Sequence, residues 1–206
     1  MKIDLPGADL RYAERAFDPV QADALFSALR GEIEWEQHRL RLFGREVTAP
    51  RLSAWIGDAD ASYRYSGTRF EPRAWTPAVA CLRDDLNARL GVRFNSVLAN
   101  LYRDGCDSMG WHADDEPELG VQPLIASLSF GAPRRLRLRA RSKRRAAVSI
   151  ELAHGSLLLM AGATQRLYQH ALPKTKTRIG ERINLTFRRI EPLIANRHGA
   201  SLCDIS

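Results

Sequence analysis

The sequence predicts an α+β protein in which helices in the N-terminal half buttress a sheet of short strands. Apolar residues recur at helical spacing over 18–30 and 77–90, and polar and apolar residues alternate over 96–102 and 182–188. Gly and Pro turns separate the short strands, a pattern that by itself does not distinguish a jelly roll from other β sandwiches. With 206 residues, the chain is predicted to be a single domain, 1–206, with one core.

Both predicted helices carry end signals. Asp18 can cap the first helix, and Pro19 suits its first turn because that position has no intrahelical partner for an N–H. Thr76 is placed to cap the second helix, and Gly91 to end it. The apolar stripes consist of Leu25, Phe26 and Leu29 in the first helix and of Val79, Leu82, Leu86 and Leu90 in the second. We expect both stripes to pack against one sheet.

The segment Trp111-His112-Ala113-Asp114 predicts a metal site. In an extended backbone, residues i and i+2 point to the same side, so His112 and Asp114 can bind one ion while the distant His170 completes the set. Two imidazoles and one carboxylate are the ligands of non-haem Fe(II) oxygenases. Three coordination positions remain for a bidentate oxo acid and O2, which indicates an enzyme.

The segment 182–188 alternates as a strand does when one of its faces lines a cavity. Its apolar residues, predicted to face the core, are Ile183, Leu185 and Phe187, and its cavity-facing residues are Arg182, Asn184, Thr186 and Arg188. Buried guanidinium groups require anions, and a dicarboxylate supplies two. On an earlier strand, Asn100 and Tyr102 share one face and can bind the same carboxylate. These features point to 2-oxoglutarate.

The chain resembles the AlkB family of Fe(II)- and 2-oxoglutarate-dependent nucleic-acid demethylases, and most of all its double-stranded DNA repair branch. The matching segments are NSVLANLYRDGCDSMGWHADDE (95–116), IASLSFGAPRRLRLR (125–139), AHGSLLLM (153–160) and QHALPKTKTRIGERINLTFR (169–188). The resemblance implies a double-stranded β-helix, or jelly roll, with 95–190 as the catalytic core and 35–70 as a nucleotide-recognition lid. It also implies Fe(II), 2-oxoglutarate and O2 as cofactor and cosubstrates.

Carried over by position, the resemblance assigns the same residues that alternation places inward. The implied iron ligands are His112, Asp114 and His170, and the implied 2-oxoglutarate contacts are Asn100, Tyr102, Arg182, Asn184, Thr186 and Arg188.

The basic residues indicate a polyanionic partner. The net charge is +7, and the densest basic cluster is 134–145. Read as a strand, this cluster turns Leu136 and Leu138 inward and Arg135, Arg137 and Arg139 outward. The alternative is a solvated edge strand whose charge discourages aggregation; beside a demethylase core, a phosphate-binding segment is the preferred interpretation.

Residues 38–51 are predicted to form a hairpin or loop that presents Phe43 and Gly44 at an exposed turn among arginines that include Arg45 and Arg51. An aromatic side chain in such a position suits a wedge between bases while the cations hold phosphates. By resemblance, Phe43 fills the gap left by an extruded nucleotide. The alternative is that Phe43 packs into the core beneath its own hairpin.

Further substrate contacts are implied by resemblance. Tyr63 and Tyr65 lie on one face of a predicted strand, where aromatic residues are commonly half-buried sheet residues; in the family they belong to the lid over the damaged base. Asp115 and Glu116 follow the metal ligands, and a lone acidic run is ordinarily a solvated turn. The resemblance places both carboxylates near a cationic methylated ring.

The function expected from these features is oxidative demethylation of N-alkylated bases such as 1-methyladenine and 3-methylcytosine in DNA, with release of formaldehyde. The partner is alkylated DNA, double-stranded and also single-stranded, and the enzyme is expected to act as a monomer. The three cysteines are odd in number and lack metal-ligand spacing, and the sequence contains neither a membrane-span pattern nor a signal peptide, so we expect a cytoplasmic protein. Two alternatives stay open: an oxygenase with the same core that acts on RNA, protein or a small molecule, and a non-catalytic metal-bearing nucleic-acid binder.

Overall fold

A computed structural model describes residues 1–42, 45–61, 63–65, 68–142 and 148–191, with only the backbone described for 40–42, 45, 63–65 and 68–70. The helices are α1 (Pro19–Glu32), α2 (Pro77–Leu90) and α3 (Thr164–Leu167). The strands are β1 (Lys2–Ile3), β2 (Asp9–Ala13), β3 (Arg39–Leu42), β4 (Arg45–Thr48), β5 (Leu52–Gly57), β6 (Tyr63–Tyr65), β7 (Thr68–Phe70), β8 (Ser96–Tyr102), β9 (Met109–His112), β10 (Ile125–Gly131), β11 (Arg134–Ala140), β12 (Val148–Leu152), β13 (Ser156–Ala161), β14 (Tyr168–Leu172) and β15 (Arg182–Arg188).

Two antiparallel sheets form the sandwich. Within the described residues, the larger sheet has the seven-strand order β1-β2-β13-β10-β15-β8-β5, and the smaller sheet has the order β12-β11-β14-β9. One apolar cluster joins Ile125 and Leu158 of the larger sheet to Leu138 and Leu172 of the smaller sheet. Because each sheet hides its apolar face against the other, the predicted jelly-roll core is confirmed. The hairpins β3-β4 and β6-β7 are separate two-stranded sheets.

The two long helices cover the outer face of the larger sheet. Leu29 of α1 and Leu82 of α2 share an apolar cluster with Val97, Leu128 and Phe187 of the strands. The larger sheet is therefore buried on both faces, and the predicted buttressing role of the helices is confirmed. Among the described residues, no helix combines the length and the apolar character needed to cross a membrane.

The helix boundaries agree with the sequence signals, apart from one cap. Asp18 forms a capping box, in which its Oδ1 accepts from the Gln21 N–H at 2.9 Å. Thr76 occupies the N-cap of α2, but its hydroxyl makes no capping hydrogen bond to any described residue. Instead, Glu32 of α1 accepts from the Ala78 N–H at 2.9 Å. Thr76 is thus the N-cap residue, as predicted, but a carboxylate from the neighbouring helix, and not the Thr76 hydroxyl, accepts the hydrogen bond at this helix end.

The alternation predicted for β15 is confirmed. Ile183, Leu185 and Phe187 are fully buried in the cluster beneath the helices, and the four polar residues of the strand line a cavity on the opposite face.

We expect Phe187→Ala to lower the free energy of unfolding by about 3–5 kcal/mol, because it leaves a cavity where the sheet meets both helices. Val20→Ala is the matched control: Val20 is 79% exposed, and its truncation is expected to change stability by less than about 0.5 kcal/mol. Urea denaturation measures both values. Similar losses in the two variants would contradict the packing described here.

Candidate active site

Strand pairing brings the predicted metal ligands together. β9 and β14 are antiparallel neighbours, and His112 lies directly opposite His170 with the ring centroids 4.2 Å apart. Asp114 follows two residues after His112, where the chain has left the strand. One ligand atom from each of the three residues lies within 4.8 Å of the others, which is close enough to hold one ion.

The protonation states of these three residues suit a cation. Burial lowers the pKa of His112, and burial together with the neighbouring His112 lowers the pKa of His170 to about 3, so both imidazoles are neutral at pH 7. The His112 Nδ1–H donates to the Gly110 carbonyl at 2.8 Å, which leaves Nε2 for a metal. Burial alone would raise the pKa of Asp114, but Arg188 and the two histidines outweigh it and lower that pKa to about 2. Neutral imidazoles and an ionised carboxylate are the metal-binding forms.

Asp114 is held from two directions. Arg188 donates from Nη2 to Asp114 Oδ1 at 2.8 Å, and the Asp114 backbone N–H donates to Gln165 Oε1 at 3.0 Å. Oδ2 of Asp114 is buried, has no hydrogen-bond partner among the described residues, and lies 3.9 Å from His170 Nε2. A buried carboxylate oxygen without a donor requires a cation, so the residues present fit an Fe(II) ion.

The metal ligands line a cavity together with residues of β8, β10 and β15, the place predicted for the cosubstrate. The register of β8 and β15 places Tyr102 opposite Arg182 and Asn100 opposite Asn184. The polar residues that line the cavity besides the metal ligands are Asn100, Tyr102, Ser127, Arg182, Asn184, Thr186 and Arg188.

Arg182 supplies the strongest indication of an anion in this cavity. The side chain is 1% exposed, and Nη2 donates to Ser129 Oγ at 2.9 Å. Nε and Nη1 have no hydrogen-bond partner among the residues that the structure describes. Burial lowers the pKa of Arg182 to about 10, partly opposed by Tyr102, and the group is still protonated at pH 7. A carboxylate of 2-oxoglutarate fits these donors.

Asn184 and Thr186 are engaged within the sheet. Asn184 Nδ2 donates to Ser127 Oγ at 2.8 Å and to the Leu128 carbonyl at 2.7 Å, and Thr186 Oγ1 lies 3.4 Å from Asn184 Oδ1. Both side chains border the cavity, and Asn184 also connects β15 to β10.

Three residues of this site were not predicted from the sequence. Ser127 and Ser129 alternate with apolar residues in β10, so the period-two pattern used for β15 could have identified them. Gln165 contacts Asp114 from α3, 51 positions along the chain, and no local pattern indicates it.

The structure describes no side chain for five of the predicted substrate residues. Phe43 and Gly44 are outside the described residues. For Arg45 in β4 and for Tyr63 and Tyr65 in β6, only the backbone is described, so the predictions for their side chains also fall outside it.

The expected exposure of Arg51 is wrong. Its side chain is 6% exposed, Nε donates to Asn100 Oδ1 at 2.8 Å, and Nη1 reaches the Ser108 carbonyl at 3.5 Å. A guanidinium at this position is drawn inward because the Asn100 amide and a strand-end carbonyl satisfy its donors. Arg51 therefore contacts Asn100, a residue that lines the cavity, and does not lie at an exposed turn.

The two acidic residues after the metal ligands lie at the surface of the site. Asp115 is exposed and forms an ion pair with Arg141, which follows β11. Glu116 is half-buried and precedes the short 3-10 helix Pro117–Leu119. Their predicted contacts with a base remain predictions.

The alternation predicted for the basic strand β11 is confirmed for its central residues. Leu136 and Leu138 are buried, and Arg135 and Arg137 are exposed. Arg139 lies over the Trp111 ring at 4.2 Å from its centroid, and its Nη2 donates to Gln169 Oε1 at 2.9 Å.

A family model for the 2OG-Fe(II) oxygenase superfamily matches residues 9–188 of this chain. The human "DNA oxidative demethylase ALKBH2" is 40% identical over 198 residues, which cover 91% of this chain and 76% of that protein. The bovine "Alpha-ketoglutarate-dependent dioxygenase alkB homolog 3" is 41% identical over 184 residues, 85% of this chain and 64% of that protein. ALKBH2 of Arabidopsis thaliana is 37% identical over 216 residues, 91% of this chain and 68% of that protein.

The solved structure of OsALKBH1 has a TM-score of 0.62 at 16% identity and covers 91% of this chain and 99% of that chain, which shows a shared fold. The residues that line the cavity thus fit a ferrous ion and a dicarboxylate, and the family match includes these residues. The chain belongs to the AlkB family of the 2OG-Fe(II) oxygenase superfamily and is an Fe(II)- and 2-oxoglutarate-dependent dioxygenase.

Proposed function

We propose that this dioxygenase oxidatively demethylates N-alkylated bases in DNA, such as 1-methyladenine and 3-methylcytosine. In the overall reaction, the N-methyl base, 2-oxoglutarate and O2 give the unmodified base, formaldehyde, succinate and CO2. The human and Arabidopsis relatives are named DNA oxidative demethylases, which supports this proposal. Alkylated DNA, double-stranded and also single-stranded, is the proposed substrate of a monomeric enzyme.

His112, Asp114 and His170 are proposed to hold the iron. Bound iron and 2-oxoglutarate supply the O2-dependent oxidation of the methyl group. Arg188 fixes one oxygen of Asp114 and thereby leaves the other oxygen for the metal. The Gly110 carbonyl fixes the His112 tautomer. These contacts orient the ligand atoms before the metal binds.

The proposed 2-oxoglutarate contacts are the cavity-facing residues of β8 and β15. Arg188 contacts the metal ligand Asp114, and Arg182 lies six residues away on the same strand, about 20 Å along an extended chain. The end of the oxo acid that shares the metal therefore lies toward Arg188, and the distal carboxylate lies toward Arg182 and Tyr102. Asn100, Asn184 and Thr186 border the space between these ends.

One observation carries the choice of nucleic acid as substrate: the exposed arginines lie on the same sheet as the metal ligands. β11 pairs with β14, the strand of His170, and turns Arg135 and Arg137 outward. Arginine binds phosphate bidentately, and the formal charge of +7 adds a general attraction to a polyanion.

A methyl group inside a duplex cannot reach a buried metal, so the base must leave the stack at a cost of a few kcal/mol. Lesions that block Watson–Crick pairing lower this cost, and selectivity therefore begins in the duplex. Phe43 is proposed to fill the vacated space, and Tyr63, Tyr65, Asp115 and Glu116 to surround the base. Arg45 is proposed to hold a phosphate.

We expect the enzyme to remove methyl groups from a 3-methylcytosine oligonucleotide, single-stranded and double-stranded, with formaldehyde and succinate formed in equal amounts. Mass spectrometry of the oligonucleotide and quantification of both products measure this, and chelation of iron should abolish it. Succinate without demethylation would indicate a different substrate. No succinate with any oligonucleotide would favour a non-catalytic metal-bearing binder.

Asp114→Asn is expected to weaken Mn²⁺ binding by at least about 100-fold, because it removes the ionised ligand while it keeps the shape of the side chain. Calorimetry with Mn²⁺ in place of iron measures the affinity, and circular dichroism verifies the fold. Asp115→Asn, an exposed change one residue away, is the matched control and should bind Mn²⁺ normally. Normal Mn²⁺ affinity in the Asp114 variant would contradict the metal assignment.

Phe43→Ala is expected to reduce demethylation of duplex DNA about tenfold more than that of single strands, because only the duplex leaves a gap to fill. Rates on matched single-stranded and double-stranded 3-methylcytosine substrates measure the ratio. Val47→Ala, at a 38% exposed position of β4, serves as the control and should leave the ratio unchanged. An equal loss on both substrates would refute the wedge.

A further inference from the structure

Arg134 is a buried cation that has no part in the reaction described so far. It begins β11 and belongs by sequence to the basic cluster 134–145, yet it is only 4% exposed, whereas its neighbour Arg135 is exposed. Burial lowers the pKa of Arg134, which reflects the unfavourable desolvation of its charge. A buried guanidinium of this kind persists only where its surroundings stabilise it.

The guanidinium of Arg134 fastens two chain segments to β11. Nη1 donates to the Asp104 carbonyl at 3.2 Å, and Nη2 donates to the carbonyls of Asp107 at 2.9 Å and of Pro173 at 2.7 Å. Asp104 and Asp107 lie in the turn between β8 and β9, immediately after Tyr102, and Pro173 follows the strand of His170. Arg134 thus holds the turn that connects Tyr102, the last residue of β8, to β9, the strand that carries His112.

Arg134 also contacts the Tyr102 side chain. Its guanidinium carbon lies 5.7 Å from the centroid of the Tyr102 ring, and that of Arg182 lies 5.3 Å from the same centroid. Arg182 comes from the larger sheet and Arg134 from the smaller sheet. One aromatic ring, 2% exposed, is therefore held by a cation from each half of the sandwich.

We propose that Arg134 is a positioning residue for 2-oxoglutarate: it orients the Tyr102 side chain toward the distal carboxylate. This inference rests on the proposed placement of that carboxylate between Tyr102 and Arg182. Arg134 does not contact the cosubstrate; it acts through the ring and through the turn that follows it. The smaller sheet then contributes to cosubstrate affinity as well as to metal ligation.

The test is calorimetric binding of 2-oxoglutarate to the full chain loaded with Mn²⁺, which occupies the iron site without turnover. We expect Arg134→Met to weaken 2-oxoglutarate binding roughly tenfold and to leave Mn²⁺ binding alone unchanged. Arg134→Lys keeps the charge but cannot span three carbonyl groups, so a severalfold loss is expected. Arg135→Met, exposed and adjacent on the same strand, is the matched control and should bind normally.

A double-mutant cycle with Tyr102→Phe distinguishes positioning from general destabilisation. If Arg134 acts through Tyr102, Arg134→Met should weaken binding much less in the Tyr102→Phe background than in the wild type. Independent, multiplicative losses, or wild-type affinity in either folded Arg134 variant, would overturn the proposal. Should Arg134→Met not fold, Arg134→Lys provides the same comparison. Failure of the wild-type Mn²⁺ form to bind 2-oxoglutarate would overturn the proposed cosubstrate site itself.

Discussion

The ion pair between Arg188 and Asp114 connects the two halves of the active site. It joins the last residue of a strand in the larger sheet to a metal ligand that follows a strand of the smaller sheet, with the donor and acceptor 2.8 Å apart and both side chains nearly inaccessible to solvent. Charged groups at such depth must be paired, so the position of the carboxylate depends on the sandwich being closed. This contact thereby links Asp114 directly to β15, the strand that carries Arg182 and Arg188.

The two sheets supply different parts of the chemistry. The smaller sheet brings His112 and His170 opposite each other, and the larger sheet brings Arg182 and Tyr102 opposite each other. Neither sheet alone holds both the metal-binding triad and the residues of the proposed dicarboxylate pocket. The apolar cluster between the sheets therefore stabilises the fold and also assembles the site, while the helices protect the outer face of the larger sheet.

Hydrogen bonds between polar side chains of the larger sheet hold β15 in register with β10. Asn184 donates to Ser127 and to the Leu128 carbonyl, and Arg182 donates to Ser129. A register slip of one residue would turn every cavity-facing group into the helix-side core and lose these bonds. The orientation of the Arg182 and Arg188 guanidinium groups therefore follows from the register of β15. Both the apolar face of β15 and the hydrogen bonds to Ser127 and Ser129 specify that register.

The sequence by itself determined the helices α1 and α2, the faces of β8 and β15, and the set of metal ligands, because periodicity and ligand spacing are local properties. Only the tertiary structure decided which groups meet across the sandwich. Arg134 and Arg51 belong to basic segments by sequence, yet carbonyl and amide acceptors from distant segments draw both inward. Likewise, Glu32 of the neighbouring helix, and not the Thr76 hydroxyl, accepts a hydrogen bond from the first turn of α2. The position of a buried charged side chain depends on its partners, and the fold, not the neighbouring sequence, brings those partners together.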